Sequence, residues 1–143
     1  MNRIELKKLY ENISLCACVN KGDSDEKEVF LNFKVICGKN LDLIQNLFDQ
    51  WNEHCSEEAK HTIDDLYEEY YERKAKGEEF DESKYADAIK SFERYESWFN
   101  SFMEEEIDDL PYQMFPFLDI PEKISGGYIL SIAPMIEDFP SYD

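Results

Sequence analysis

The sequence is poor in glycine and histidine and has no long apolar run, and each shortage excludes a class of protein. Its five glycines leave little material for a glycine-rich phosphate loop. A serine or cysteine nucleophile needs a histidine base, and the two histidines, His54 and His61, both lie in one charged stretch. No run reaches the roughly 18 apolar residues of a membrane span. We therefore predict neither an enzyme nor a membrane protein.

The cysteines predict neither disulfides nor a zinc site. Cys16, Cys18, Cys37 and Cys55 lie among apolar neighbours, and the Cys-x-Cys pair has no matching second pair at the usual spacing of zinc ligands. A chain of 143 residues buries enough apolar surface to fold without disulfides. The start MNRIELKKLYEN has no apolar core before a cleavage site, so we expect no secretion signal. We predict reduced, packed thiols in a cytoplasmic protein.

Basic residues are few, and their scarcity dominates the surface chemistry. The chain has 15 Lys and Arg against 33 Asp and Glu, a formal net charge of −18, whereas a small soluble domain needs a magnitude of only about 2 to 8. Residues 1–40 carry a net charge of +1, residues 41–103 of −10 and residues 104–143 of −9. Such a surface repels nucleic acid and anionic lipid, so we expect no direct binding to either. The expected partner is a basic protein.

The clearest pattern is the segment DDLYEEYYE, residues 64–72. On a helix, at about 100° per residue, its acids and its apolar residues separate onto opposite arcs. The acidic arc holds Asp64, Asp65, Glu68, Glu69 and Glu72, and the apolar arc holds Leu66, Tyr67, Tyr70 and Tyr71. On a strand, the acids would lie on both faces. We therefore predict a helix whose aromatic arc packs on the protein while its acids point toward water or a partner.

A second acidic cluster, EEEIDD, ends the last long predicted helix. Its acids are Glu104, Glu105, Glu106, Asp108 and Asp109. Carboxylates at the C-terminal end of an exposed helix oppose the macrodipole by about 0.3 to 1 kcal/mol each. Charge that weakens its own helix is more easily understood if the surface binds a partner. We predict that both clusters bind the partner, with Tyr67 and Tyr71 as apolar anchors.

Cap signals and apolar stripes predict long helices after residue 40. Asn40 is a candidate N-cap for one helix, and Ser56 caps or interrupts a second that ends near Gly77. Asp81 is the candidate cap of a third helix, which runs through about Glu106. The apolar stripe of the third helix, which we predict as core, contains Tyr85, Ile89, Phe92, Tyr95, Trp98, Phe99, Phe102 and Met103.

The first 40 residues fit two kinds of secondary structure. Leu6, Leu9, Ile13 and Cys16 have helical spacing, yet ISLCACV also alternates as a strand would. In DSDEKEVFLNFKVICG, Gly38 and the early polar residues are typical of helix ends, whereas the valines and phenylalanines are typical of strands. Helices are favoured because a strand pair would leave edges to cover, with only GYILSIA (127–133) as a further strand.

All five prolines follow Leu110, which predicts an irregular C-terminal arm. Its apolar residues, which we expect to pack over the bundle and which would form a docking site if exposed, are Met114, Phe115, Phe117, Leu118 and Ile120. The predicted fold is mainly α, a helical bundle of about four to five helices with this arm, in a single domain over residues 1–143. The alternative is an α+β fold with an N-terminal β-hairpin and a C-terminal strand.

Four residues have a spacing that suggests a metal site. His54, Glu58, His61 and Asp65 would share one face of an unbroken helix. The Glu58-x-x-His61 pair matches one element of helical di-iron sites, but those sites need a second such element and two further glutamates in a bundle core. We therefore predict a solvated charged face, with no metal and no cofactor.

Charge, size and the lack of catalytic motifs together predict an inhibitor. We expect an acidic helical protein that blocks the basic surface of a nucleic-acid-handling protein, such as an immunity protein that neutralises a bacterial toxin. The first alternative is a phage-encoded DNA mimic that blocks restriction or CRISPR machinery. An adaptor subunit that binds through the C-terminal arm and a metal-binding helical enzyme are further alternatives. This prediction is an analogy of charge and size.

Overall fold

The computed structural model describes residues 1–18, 27–120 and 126–139, and the chain is mainly α-helical there. Its α-helices are α1 (Arg3–Cys18), α2 (Lys27–Thr62), α3 (Leu66–Ala75), α4 (Ala86–Glu104) and α5 (Gly126–Ser131). Short 3-10 helices span Glu82–Tyr85, Phe117–Asp119 and Ala133–Met135. No strand occurs in the described ranges, so the mainly α prediction is confirmed and the α+β alternative is wrong for them. Residues 19–26 of the hypothetical hairpin lie outside these ranges.

The chain divides into two compact units. Unit 1 comprises Met1–Phe48 and Glu106–Asp143, and unit 2 comprises Asp49–Glu105. Helix α2 supplies residues to both units because it runs through the boundary. That residues 1–143 form a single domain stays a prediction.

Helix α1 buries the stripe that its helical spacing predicts. Leu6, Ile13 and Cys16 are fully buried. At its start, Asn2 and Glu5 form a capping box: the Glu5 amide donates to Asn2 Oδ1 at 2.9 Å, and the Asn2 amide donates to Glu5 Oε1 at 3.3 Å. The helical interpretation of this segment is therefore confirmed.

Helix α2 is longer than the sequence predicts. The helix boundaries predicted at Gly38, Asn40 and Ser56 are wrong, because α2 continues through all three. Among residues 32–44 of this helix, the fully buried side chains are Phe33, Cys37, Asn40 and Ile44. An N-cap is worth about 1 kcal/mol, whereas burial of one large apolar side chain is worth about 1.5 to 3 kcal/mol. The continuous buried stripe therefore outweighs the local cap signals.

The C-terminal arm is tied to the core of unit 1. The Phe115 amide donates to Met135 O at 2.9 Å, and the Glu137 amide donates to Phe115 O at 3.0 Å. The Phe115 ring also meets the Phe33 ring edge to face, with centroids 5.9 Å apart. These contacts fix the path of the arm by both backbone and side chain.

The apolar run of the arm is divided between core and surface. The prediction that it packs is confirmed for Phe115 and Ile120, which are buried. It is wrong for Leu118, which is 86% exposed, and Met114 is also 49% exposed. The Phe117 amide donates to Asp138 Oδ1 at 2.7 Å, which holds the 3-10 helix that presents Leu118.

The segment GYILSIA (127–133), which the alternative fold predicts as a strand, lies in helix α5 as far as Ser131. Its backbone receives two hydrogen bonds from α1. Asn12 Nδ2 donates to Ser131 O at 3.1 Å, and Cys16 Sγ donates to Tyr128 O at 3.4 Å. Because α1 side chains satisfy these carbonyls, the short helix is held against α1 without needing a neighbouring strand.

Asn40 is a fully buried amide in the middle of α2, and the arm satisfies its hydrogen bonds. Its Nδ2 donates to Gln113 O at 2.9 Å and to Met135 Sδ at 3.4 Å. Its Oδ1 accepts from the Gln113 amide at 2.7 Å. An unsatisfied buried polar group costs about 1 to 3 kcal/mol. Asn40 therefore specifies where the arm crosses α2.

Two cysteines in unit 1 are buried free thiols, Cys16 and Cys37. Burial raises the pKa of Cys37 to about 12, with a smaller contribution from Cys16. Burial also raises the pKa of Cys16. The prediction of packed thiols is confirmed for these two residues. Cys55 is half-buried, and the side chain of Cys18 lies outside the described part of the chain.

Unit 2 is built on aromatic packing. Tyr70, Phe80 and Tyr85 form a triangle of rings with centroids 5.6 to 5.7 Å apart. Trp98 and Phe102 stack further along α4, at 5.2 Å. Aromatic pairs of this kind contribute about 0.5 to 1.5 kcal/mol beyond the burial of their area.

The α4 stripe predicted as core is buried or half-buried at every position except Phe99, for which the prediction is wrong. Tyr85 and Phe102 are buried, and Phe99 is 36% exposed. The half-buried members are Ile89, Phe92, Tyr95, Trp98 and Met103. The predicted cap is confirmed for the 3-10 helix before α4, where the Ser83 amide donates to Asp81 Oδ1 at 3.0 Å. The Ser83 hydroxyl, which donates to the same oxygen at 2.6 Å, and then the amide lower the pKa of that carboxyl.

Replacing Asn40 by alanine should lower the free energy of unfolding by about 2 to 4 kcal/mol, because Gln113 loses both partners and a cavity opens. Urea unfolding followed by far-UV circular dichroism measures this loss. Hydrogen exchange of the Gln113 amide should also become faster. Asn46→Ala, on an exposed side of α2, is the control and should change stability by less than about 0.5 kcal/mol. An equal loss in both variants would contradict the role of Asn40.

Stability should fall as the pH rises from about 9 to 10. The folded chain keeps the Cys37 proton up to a pKa of about 12, whereas an unfolded thiol titrates near about 8.5. The folded state therefore binds more protons in this window, and the slope approaches about 1.4 kcal/mol per pH unit. Urea unfolding at several pH values measures the slope. Cys37→Ala should reduce the slope, whereas Asn46→Ala, which removes no thiol, should leave it; an unchanged slope in Cys37→Ala would refute the assignment.

Candidate functional site

Unit 2 carries most of the negative charge. It holds 18 acidic and seven basic residues, a net charge of −11, whereas unit 1 holds 15 acidic and eight basic residues, a net charge of −7. The segment 64–72 lies wholly in unit 2. The candidate site is therefore built from α3 and its flanking turns.

The helix predicted from Ser56 to Gly77 is broken after Thr62, and helix α3 begins only at Leu66. Asp64 and Asp65 lie in the turn between α2 and α3, and Asp64 acts as the cap: its Oδ1 accepts from the Leu66 amide at 2.8 Å. The Asp64 carbonyl also accepts from the Tyr67 amide at 2.9 Å. From α4, Ser91 Oγ accepts from the Asp64 amide at 2.8 Å. Asp64 is thus a structural residue of the turn.

The far end of α3 is closed by Gly77, as predicted. Gly77 has a φ of 68°, in the left-handed region. Its amide donates to Lys74 O at 3.2 Å, and the Glu78 amide donates to Arg73 O at 3.2 Å. A glycine in this position ends a helix without the steric cost that a side chain would add. Both ends of α3 are therefore fixed.

The inner side of α3 is held by stacked rings. Tyr67 lies parallel to Phe92 of α4, with centroids 4.3 Å apart and planes 2° apart. Tyr70 is buried and contacts Phe80 and Tyr85. Burial raises the pKa of Tyr67, and the neighbouring tyrosines add to the rise. The predicted packing of the aromatic arc is confirmed for Tyr67 and Tyr70.

The outer side of α3 presents acids around one exposed ring. Asp65, Glu68 and Glu72 are exposed, as predicted. Tyr71 was predicted both to pack and to anchor a partner; it is 62% exposed, so the predicted packing is wrong, and Leu66 is 39% exposed. Tyr71 lies about 100° around the helix from the buried Tyr70 and only about 60° from Glu68, so it falls on the acidic side. We name Asp65, Glu68, Tyr71 and Glu72 the acidic face of α3.

Cations neutralise one edge of α3 but not this face. Glu69, which is half-buried, pairs with Arg73 at 3.5 Å. Lys74 lies over the Tyr70 ring, with its Nζ 5.7 Å from the centroid. Within the described residues, no base lies within salt-bridge distance of Asp65, Glu68 or Glu72. Glu69 is paired and Asp64 caps the helix, so the acids of this arc that are available to a partner are Asp65, Glu68 and Glu72, fewer than the five predicted.

A set of acids that the sequence patterns did not single out follows α3. They are Glu78, Glu79, Asp81 and Glu82, all exposed. Phe80 lies among them and packs edge to face on Tyr70 at 5.6 Å, which fixes the loop beside α3. The signal is present in the sequence as GEEFDES, where one aromatic residue separates two acidic pairs. The fold extends the negative surface of unit 2 beyond residue 72.

The second predicted cluster does not continue as a helix. Helix α4 ends at Glu104 and Glu105 is extended with ψ of 139°, so the helix predicted through about Glu106 ends two residues earlier. The Met1 amine donates to Glu106 Oε2 at 2.8 Å, and this bond raises the pKa of the amine. Glu104 and Glu105 belong to unit 2, whereas Glu106, Asp108 and Asp109 belong to unit 1. Of the second cluster, only Glu104 and Glu105 share unit 2 with α3.

The possible metal ligands have other contacts. His54 packs against the Trp98 and Phe102 rings, each at 5.5 Å, instead of pointing only to solvent. Thr62 Oγ1 donates to Glu58 Oε1 at 3.4 Å. In the described part of the chain, no three His, Cys, Asp or Glu side chains are grouped to hold a metal ion.

Comparisons with models of protein families, with curated proteins and with solved structures find no match. Among the described helices, none combines the length and the apolar character needed to cross a bilayer. A functional argument for this chain therefore depends on the chemistry of its own surface.

Replacing Asp64 by alanine should lower the free energy of unfolding by about 1 kcal/mol, because the Leu66 amide loses its cap. Asp65→Ala is the matched control, since no side-chain cap bond comes from Asp65. Both tryptophans, Trp51 and Trp98, lie in unit 2, so urea unfolding followed by tryptophan fluorescence reports on this unit. Equal destabilisation of the two variants would argue against the cap.

Proposed function

We propose that this protein is an acidic inhibitor that binds the basic surface of another protein through the acidic face of α3. The observation that supports the proposal is the exposure of Asp65, Glu68 and Glu72 around the exposed Tyr71 ring. The expected partner handles nucleic acid, because a surface built for phosphates accepts closely spaced negative charge. An immunity protein that neutralises a nuclease-like toxin is the setting that fits best.

Opposite charge accounts for the speed of such an encounter. The net charge of −18 attracts a basic partner over about one Debye length, roughly 8 Å at physiological salt. Electrostatic attraction mainly increases the association rate. Fast association suits an inhibitor, because a toxin must be captured before it reaches its substrate.

An apolar anchor is needed to slow dissociation. Charged pairs at the rim of an interface contribute little, whereas aromatic residues in its desolvated centre contribute most of the affinity. Tyr71 lies among the acids and is exposed enough to be covered by a partner. Leu66, at the N-terminal end of the same helix, is also partly exposed. The face therefore combines attraction with an anchor.

The face also needs little ordering when it binds. Helix α3 is capped by Asp64, closed by Gly77 and stacked on α4 through Tyr67. Side chains on a fixed helix lose less conformational freedom on binding than side chains on a mobile loop. This preorganisation favours tight binding by a short segment.

Reversing the charge of the face should abolish partner capture. We expect Glu68→Lys/Glu72→Lys to lose a basic nucleic-acid-handling protein that the wild type captures from its native host at low salt. High salt should release the same protein from the wild type. Asp64 is left unchanged because it caps α3.

The matched control is Glu53→Lys/Glu57→Lys, an exposed acidic pair with the same spacing on α2. It makes the same change in net charge and should keep the partner. Capture that is unaffected by salt and by both variants would contradict the proposal. If Leu118→Asp then removed the partner, the exposed residue of the arm would be the contact and an adaptor would be the better interpretation.

A further inference from the structure

The exposed ring of Tyr71 is flanked by carboxylates. Glu68 lies one turn earlier on α3 and Glu72 is the next residue, and both are exposed. Long side chains on a helix lean toward its N-terminus, over the residues three and four positions earlier. Tyr71 therefore leans over the turn that carries Glu68. A cation placed on this ring lies within reach of two negative groups.

The chain already pairs cations with the neighbouring rings. Lys74 lies over Tyr70 with its Nζ 5.7 Å from the centroid, and Lys84 lies over Tyr85 at 5.4 Å. These distances are within the range of a cation–π interaction. In the described ranges, neither a cation nor a second ring covers Tyr71. It is the tyrosine of α3 that is left for an external cation.

We propose that the acidic face of α3 receives an arginine side chain of the partner, with the guanidinium over the Tyr71 ring and paired with Glu68 or Glu72. This inference rests on the proposed function and names the chemistry of its contact. It extends to the partner the cation–ring arrangement that Lys74 and Tyr70 make within the chain.

Arginine fits this face better than lysine. Its planar guanidinium stacks on an aromatic ring and still directs several N–H groups sideways toward carboxylates. It is also less strongly hydrated than an ammonium group, so its desolvation on the ring costs less. A lysine ammonium is a point charge and does not combine stacking with a two-point bond to a carboxylate. The preference for arginine is therefore the distinguishing property of the site.

The test compares two short synthetic peptides of equal charge, one in which arginine alternates with glycine and one with lysine in place of each arginine. Calorimetric titration of the full chain should give about three- to tenfold tighter binding of the arginine peptide. Tyr71→Ala should remove this preference and Tyr71→Phe should keep it, because the ring and not the hydroxyl makes the contact. Alanine suits an exposed helical position, and tryptophan fluorescence verifies that the variant is folded.

A second pair of variants locates the carboxylates. Glu68→Gln/Glu72→Gln should lose the arginine preference, whereas Glu53→Gln/Glu57→Gln, which removes the same charge elsewhere, should keep it. Equal binding of the two peptides by the wild type, or a preference that persists in Tyr71→Ala, overturns the inference. Salt-dependent capture that is lost on reversing Glu68 and Glu72 would still support the proposed function in that case, so the two failures are distinguishable.

Discussion

The parallel stack of Tyr67 on Phe92 is the contact on which the acidic face depends. The ring centroids are 4.3 Å apart and the ring planes differ by 2°. The stack joins the N-terminal end of α3 to α4. The bond from the Asp64 amide to Ser91 Oγ anchors the same point at 2.8 Å. Because this packing fixes the rotation of α3 about its axis, it decides which residues face outward.

The same packing opposes the repulsion among the acids. Glu68 and Glu72, one turn apart, repel each other by about 0.2 to 0.5 kcal/mol in an isolated helix. The pair between Glu69 and Arg73 offsets part of this at the edge of the face. Aromatic contacts of about 0.5 to 1.5 kcal/mol each more than balance the remainder. Unit 2 can therefore keep a net charge of −11 on a fixed surface.

Periodicity in the sequence predicted the helices wherever a buried stripe and a local signal agree. The cap at Asp81 and the end of α3 at Gly77 are of this kind, whereas α1 was favoured as a helix although part of it also alternates as a strand would. The prediction failed where the two signals conflict. Asn40 has the side chain of an N-cap, but its amide is satisfied by Gln113, which is distant in sequence. The sequence around Asn40 does not show that Gln113 is its partner, so it could not predict that α2 continues through Asn40.

In the candidate site too, helical spacing within the segment predicted some features, and contacts with residues outside the segment determined the others. Helical spacing predicted the acidic arc and named Tyr71 as an anchor, yet it grouped Tyr71 with the packed tyrosines and missed that the exposed Asp64 caps α3. Which tyrosine is buried depends on where Phe80 and Tyr85 meet α3, and those contacts select Tyr70. Tyr71 is then left exposed because its neighbour fills the core position. The segment's own sequence named Tyr71 as an anchor, but the exposure of its ring beside a buried Tyr70 is a consequence of tertiary packing.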